Sequence, residues 1–493
     1  MKLNNIVKIC ALSLLLALPE ACQKYYPMVP PPIKDTTDDL DEELGASSPI
    51  YITVYGSGTM DGTSWDNAMD NEGLRDLFTN HIQLSRRSIY VAEGKYVVSP
   101  ISGEGITISK DMFNIKGGFP SDSRGTDVKD WDPAKYHTVF SGDVNGNSQV
   151  DNADCALFKV TNGNVCFEGC QFVGGYLSQT LSASLKGQIG AGFYINGAPE
   201  STSVTVINCE FKNNVTVVKN NTDGSVAGGP CALVDQGTFK ARDCRFISNS
   251  TSDGGRGGAL RANQNDACIF LDRCFFSGNQ SNQFGQAIQI SAGHLLINNS
   301  TFVDNTGDRG VINGGGAFLI CNSTVVGDTD DTTDYAFRCE SASGNKNSKL
   351  INNVFASEKS AGFGVNINHN SPDVTSMGGN IYQRIKYGDN NDKSATIFPL
   401  YGSDIIVESP LAGALNGDQW VYTLPAAKTQ FVTAQDVIDA VKSFKPTMGK
   451  ETAFGELGVQ FYNWVGEAGF KVDYSGNARN EDKFMPGSYD SKL

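Results

Sequence analysis

Residues 143–154 read Asp-Val-Asn-Gly-Asn-Ser-Gln-Val-Asp-Asn-Ala-Asp, with oxygen-bearing side chains at positions 1, 3, 5, 9 and 12 of the twelve. Calcium takes roughly six to eight hard oxygen ligands, and alternating side chains on a tight loop can supply them. Asp143, Asn145, Asn147, Asp151 and Asp154 are therefore the candidate metal ligands, and Ca2+ is the one cofactor the sequence suggests. Other chemistry is sparse. The four histidines (81, 137, 294 and 369) are scattered, and no Cys-x-x-Cys pair is present, so a zinc site is not expected. Nothing has the form of a nucleophile elbow or a phosphate loop, and no catalytic residue is assigned.

The elements that must carry these residues follow from one recurring phrase. Val206-Ile207-Asn208-Cys209-Glu210-Phe211 ends at Asn214, and the pattern returns at Phe239–Asn249, Ile269–Asn279 and Leu295–Asn305. Looser copies precede it (Cys170, Phe172, Gly175) and follow it (Ser323 with Val325, Asn353 with Phe355). Successive copies are 39, 35, 30, 26, 23 and 30 residues apart at the Cys/Ser/Asn position. Cys209 and Phe211 are two residues apart and so share one face of a strand. Stacking such rungs predicts an internal Phe ladder and a small-residue ladder. Asn214, Asn249, Asn279 and Asn305 are expected to stack as amides at a sharp bend, because Asn tolerates the left-handed conformation. Coils of variable length carrying fixed internal ladders indicate an all-β chain, a right-handed parallel β-helix. Cysteines at the ladder position read as buried thiols, good small core residues; disulfides between rungs are the alternative in an oxidising compartment.

If Cys and Phe point inward, their neighbours point out. That places Glu210 beside Arg245 and Asp243 beside Arg273, with Phe275 on the same face. Solvated cross-rung ion pairs explain this strip, each worth about 0–1 kcal/mol. A glycan-binding face with Phe275 as a stacking platform is the functional reading.

The 493 residues are 40% hydrophobic and 19% charged, with 54 Gly and a net charge of −15. This is a turn-rich, helix-poor globular profile, and its acidity argues against nucleic acid and anionic lipid as partners. Lys2 and Lys8 precede an apolar run from Ile9 to Leu18, too short to span a bilayer and readable as a secretory signal. Residues 23–48 are Pro-rich and acidic and cannot bury a core. The boundaries read as 1–21 signal, 22–48 tether, 49–400 β-helix and 401–493 its C-terminal continuation or cap.

Leu18-Pro19-Glu20-Ala21-Cys22 resembles a bacterial lipoprotein signal, which implies lipidation at Cys22. The 143–154 loop is similar to EF-hand and dockerin calcium loops, departing at Ser148, where Gly is usual, and at Asp154, where Glu is usual. Gly257-Gly258-Ala259-Leu260 with Phe276-Ser277-Gly278-Asn279, and Gly285-Gln286-Ala287-Ile288 with Phe302–Asn305, resemble the GGAI/FxxN repeats of chlamydial polymorphic membrane proteins. More broadly the chain resembles pectin-lyase-like β-helix lipoproteins of Bacteroidota, through Tyr55–Gly58, Asp61–Trp65, a capping helix near 70–80, Lys116–Pro120 and Asp473 to Asp490. Asn221–Gly224, Asn265-Asp266, Gly293-His294 and Arg384–Lys386 follow the order of the polygalacturonase-type glycosidase motifs. The central pair there is Asn-Asp where such enzymes need close carboxylates, so that match fails. The resemblances imply a lipid-anchored protein of the cell envelope at the outer membrane, periplasmic or surface-facing, touching the membrane through its lipid alone. Its expected role is a non-catalytic glycan-binding or adhesive module taking polysaccharide or host cell-surface glycan. A polysaccharide lyase or glycoside hydrolase acting in a groove on the helix side is the alternative.

Overall fold

A computed structural model of the protein describes residues 48–80, 88–109, 113–122, 129–178, 190–217, 228–252, 254–327, 335–340, 347–358, 362–367, 374–387, 398–411, 413–446 and 456–488. The signal, Cys22 and nearly all of the tether lie outside the described residues, as do Asn221–Gly224, His81, His369 and the terminal Tyr489-Asp490.

The chain folds as a parallel β-helix. The order of strands in a coil is seen in Thr202–Ile207 (sheet 1), Glu210–Lys212 (sheet 2), Val215–Val217 (sheet 3) and the start of Ala232–Arg242 (sheet 4). That last strand bends into sheet 1 again, so sheets 1 and 4 merge into one set of twenty strands beside sets of eleven and five. Register fixes the stack, since Phe211 pairs with Phe172 below and Phe246 above, and Phe246 pairs with Phe276. The expected Phe ladder is present: Phe172, Phe211, Phe246, Phe276 and Phe302 stack at 4.7, 4.9, 4.3 and 4.5 Å between centroids. These distances match the roughly 4.8 Å strand spacing, so the ring stack is dictated by the backbone pitch.

The corners hold the ladder that the spacing implied, with one correction. The left-handed residues are Asn213, Ser248, Gly278 and Asp304, one position before the asparagines expected to adopt that conformation. Asn214, Asn249, Asn279 and Asn305 are instead turned inward and fully buried. Asn249 N–H and Nδ2 donate to Asn279 Oδ1 at 3.1 and 2.9 Å, and Asn279 repeats this toward Asn305. A second left-handed file (Asn208, Asp243, Arg273, Asn299, Asn322, Asn352) marks the corner from sheet 1 to sheet 2. The ten cysteines from Cys155 to Cys339 are free thiols, and nine of them are buried.

The stack is closed at its N-terminal end by helix α1 (Asn71–Asn80), whose Leu74, Leu77 and Phe78 are buried, with Phe78 5.4 Å from Phe158. Parallel rungs run to the strand Ile405–Val407. Among the described residues, the chain adds no further rung from Gly413 onward. It forms a hairpin (Gly413–Asn416, Gln419–Tyr422) and helices α2 (Ala434–Lys442), α3 (Leu457–Val465) and α4 (Glu467–Phe470), which fold back along the flank. Their apolar side chains cover Phe270, Leu296 and Leu319 on the outside of sheet 1. Trp420 and Tyr474 cover Phe275, Val303 and Val326 on the outside of sheet 2.

Two expectations follow. Asn279→Ala removes the acceptor of a buried main-chain N–H and of a neighbouring amide, so urea unfolding should show a loss of about 2–4 kcal/mol. Lys428, 4% exposed and donating to the Ser403 carbonyl, has its pKa pushed down to about 8 by burial, against the opposing pull of Asp404. Its folded pKa lies below the unfolded value of about 10.4, so the unfolded chain binds more protons between those values and stability rises with pH across that window. A melting-temperature series from pH 7.5 to 10.5 should show this rise, and Lys428→Met should flatten it.

Candidate functional site

The strip read as an outward ligand face is assembled, but it is largely covered: Phe275 and Arg273 are buried, and Arg245, Glu210 and Asp243 keep only partial exposure. Arg245 Nη1 lies 3.1 Å from Glu210 Oε2, and Arg273 makes a two-pronged pair with Asp243 at 2.7 and 2.8 Å. Asp243 and Arg273 occupy left-handed corner positions and are not strand residues. Phe275 is 4% exposed and Arg273 3%. Asp418 in the C-terminal hairpin reaches over to pair with Arg245 at 3.0 Å, and the Tyr474 hydroxyl donates to Asp418. Burial outweighs Arg245 at Asp418 and raises its pKa. Phe275 is thus an internal aromatic, and the exposed stacking platform is corrected to a packing contact.

The neighbouring rung deepens this cluster. Asp272 is completely buried between Arg273 Nη1 at 3.0 Å and Arg242 Nε at 3.6 Å. Arg242 donates to the Trp464 carbonyl and stacks on the Trp464 ring, while Asn298 and Asn299 donate to the Gly469 carbonyl. These charges fasten the C-terminal segment and are not presented to a ligand.

The candidate calcium loop keeps its five residues together. Asp143 Oδ2 accepts from Lys95 Nζ and from Ser148 N–H. Asn145 and Asn147 accept from the N–H groups of Asn147 and Gln149, and Asp151 accepts from Ala153 N–H and Asn147 Nδ2. Ser148 takes a left-handed conformation, φ 59°, where the calcium-loop pattern uses glycine. At Asp143 burial raises the pKa, but the Lys95 ammonium and loop N–H groups outweigh it and hold the carboxyl below its usual range. Asp154 is pushed up by burial, with Asp151 and Asp143 adding repulsion. Among the described residues no three His, Cys, Asp or Glu side chains form a ready metal cluster. A hard-cation site here must therefore also draw on amide and main-chain oxygens.

An open recess lies elsewhere, over the first rungs of sheet 4. One wall is the polar stripe of α1, Glu72, Arg75, Asp76 and Thr79; the other is the segment from Ser99 to Gly105. The trough has a volume of about 640 Å³. It shares Glu104, Gly105 and Thr107 with a second recess of about 200 Å³ that contains Lys159 and Tyr194. Register explains this alignment: Thr107 pairs with Lys159 and Lys159 with Tyr194, so three successive rungs present one outward file. The Tyr194 hydroxyl donates to Asp235 at 2.7 Å, and Asp235 accepts from Asn263 at 2.8 Å. Burial and Asp235 raise the Tyr194 pKa, and burial lowers that of Lys159. Sequence reading missed this site, although Glu72, Arg75, Asp76 and Thr79 at i, i+3, i+4 and i+7 spell a polar helix face opposite the buried Leu74 and Phe78.

No protein-family model matches the chain, and no curated protein matches it.

Phe275→Ala tests the covering of the strip. An internal aromatic should cost about 3–5 kcal/mol in urea unfolding, whereas an exposed platform would cost about 0.5 kcal/mol or less.

Proposed function

We propose that the protein is an exported module of the cell envelope that binds glycan without cleaving it, through the trough between α1 and the outer file of sheet 4. The observation that carries this reading is the trough itself. Carboxylates, hydroxyls, an arginine and a lysine converge on a recess long enough to span successive rungs. Sugars are recognised by such closely spaced polar groups set on a rigid, largely preformed surface. The rival strip on sheet 2 is covered by Asp418, Trp420 and Tyr474. Lys2, Lys8 and the apolar run before Cys22 support export and a lipid anchor at that cysteine in the outer membrane, as does the resemblance to β-helix lipoproteins of Bacteroidota. No helix among the described residues is long and apolar enough to cross a membrane.

A hydrolase or lyase is the second reading. It is favoured by Glu72, Asp76 and Glu104 lining one trough, since glycoside cleavage uses paired carboxylates. The two readings separate on a panel of neutral, uronate and amino-sugar polysaccharides incubated with the purified chain, scored for retention and for new chain ends. Retention without products is expected. Lys159→Met combined with Glu104→Gln should weaken it by about tenfold or more, on the order of one or two lost polar contacts. Release of oligosaccharides would overturn the non-catalytic reading, and retention of no glycan would overturn the binding role.

A further inference from the structure

The 143–154 loop holds two oxygen atoms that its own hydrogen bonds leave out. Asp143 and Asp154 are 6% and 0% exposed, and in each the Oδ1 atom is buried without a well-formed hydrogen bond, the Gly146 and Val144 N–H groups acting on the two carboxyls only outside good geometry. Their other oxygens are engaged, Asp143 Oδ2 by Lys95 and Ser148, and Asp154 Oδ2 by Asp151 N–H at 2.9 Å. A buried carboxylate oxygen without a well-formed hydrogen bond bears a desolvation penalty that a nearby cation removes. Three carboxylates (Asp143, Asp151, Asp154) meet one ammonium (Lys95), so the cluster carries two uncompensated negative charges. The amide oxygens of Asn145 and Asn147 each accept one main-chain N–H, at 3.0 and 2.7 Å, and keep a second lone pair.

We propose that this loop binds one divalent cation of calcium's class, with Asp143 Oδ1 and Asp154 Oδ1 as anchoring ligands and amide and main-chain oxygens completing the shell. A mixed set of carboxylate, amide and main-chain oxygens suits calcium better than magnesium, which demands near-ideal octahedral geometry. The cation has a mechanical consequence for the trough. Gly103 N–H donates to the Asp154 carbonyl at 2.8 Å, and Ser102 Oγ donates to the Ala153 carbonyl. The trough wall from Ser99 to Gly105 therefore hangs on the end of this loop, and a cation that fixes Asp154 fixes the wall. The binding claim is independent of the glycan reading; only the consequence for the wall bears on it.

Terbium luminescence and calcium titration of the chelator-treated full chain read the site without any glycan. One saturable site is expected, with Kd on the order of 10⁻⁴–10⁻³ M. Millimolar calcium should raise the melting temperature by about 1 °C or more, and magnesium by less. Asp154→Asn and, separately, Asp143→Asn should each abolish the shift while circular dichroism stays unchanged. Lys95→Met, which removes the competing ammonium, should tighten binding. The proposal is overturned if melting is identical in calcium and chelator with no saturable terbium signal. It is equally overturned if both aspartate variants fold and bind as the parent does. Should both variants fail to fold, the Lys95→Met titration decides: unchanged affinity rejects the site and tighter affinity supports it.

Discussion

The structure depends on how the main-chain N–H at each corner of a coil is satisfied. Along a strand the N–H has a ladder partner in the next rung, but at a bend that regular partner is lost, and a buried orphan costs about 1–3 kcal/mol. Here the short side chain one rung away supplies the acceptor. From Cys170 and Cys209 the chain of donors continues through Cys274 to Ser300, Ser300 to Ser323, Ser323 to Asn353, Asn353 to Asn380 and Asn380 to Asp404. Cys, Ser, Asn and Asp share what the corner needs, an acceptor one or two bonds beyond Cβ. Leucine would leave the donor orphaned. Because these bonds ignore the loops, corner donor and acceptor lie as much as 39 residues apart in one coil and 23 in another without disturbing the stack. The phenylalanine column is a consequence, since rings on adjacent strands held in register have little choice but to stack.

That logic explains what was legible in the sequence. The Cys/Ser position, the Phe position and the Asn position each recur at a fixed offset from the next, and a strand period of two puts the first two inside. The left-handed residue was placed one position late because Asn serves two purposes in this fold. Asn208 and Asn213 use its tolerance of positive φ, whereas Asn214 uses its amide. Residue type alone does not separate these roles. The covering of the sheet 2 strip was also not seen, because a contact between Asp418 and Arg245 spans 173 positions and leaves no local period. Yet a signal existed one sheet away. The strands Ala267–Asp272 and Ala317–Cys321 are apolar on both parities except at Asp272, and Leu296 stands on the same outward file between them. A strand with two apolar faces is covered on both, so Phe270, Leu296 and Leu319 already called for a second layer that the helices near the C-terminus provide.

The charges trapped beneath that layer serve placement more than stability. Pairing buried ions recovers little beyond the desolvation they cost, while removing one partner is expensive. Arg242, Asp243, Asp272 and Arg273 sit where two rungs meet, and the segment from Trp464 to Arg479 satisfies what the rungs leave over: Arg242 finds the Trp464 carbonyl, and Arg479 donates to Asn299. An apolar face alone would let α3 and α4 slide along the equally spaced rungs, since every rung offers a similar surface. Directional pairs select one position, and that position covers the strip.

The floor and the two walls of the trough are held by different kinds of contact. Its floor is tied into the solenoid, because Tyr194 is held by Asp235, Asp235 by Asn263, and Asn263 Oδ1 by Arg261 Nη2 at 2.7 Å. That chain crosses three rungs, and each link is buried or partly buried. One wall, α1, is anchored through Phe78 to the core. The opposite wall runs between the core residues Val98 and Ile106, and between them its ties run to the carbonyls of Ala153 and Asp154 at the end of the 143–154 loop. A recess whose floor and walls are each tied to the solenoid can preorganise the polar groups that set a ligand's orientation. The wall that carries Glu104 thus lies where the repeat is interrupted by a loop, the one kind of position in a β-helix where the corner ladder does not dictate the side chains.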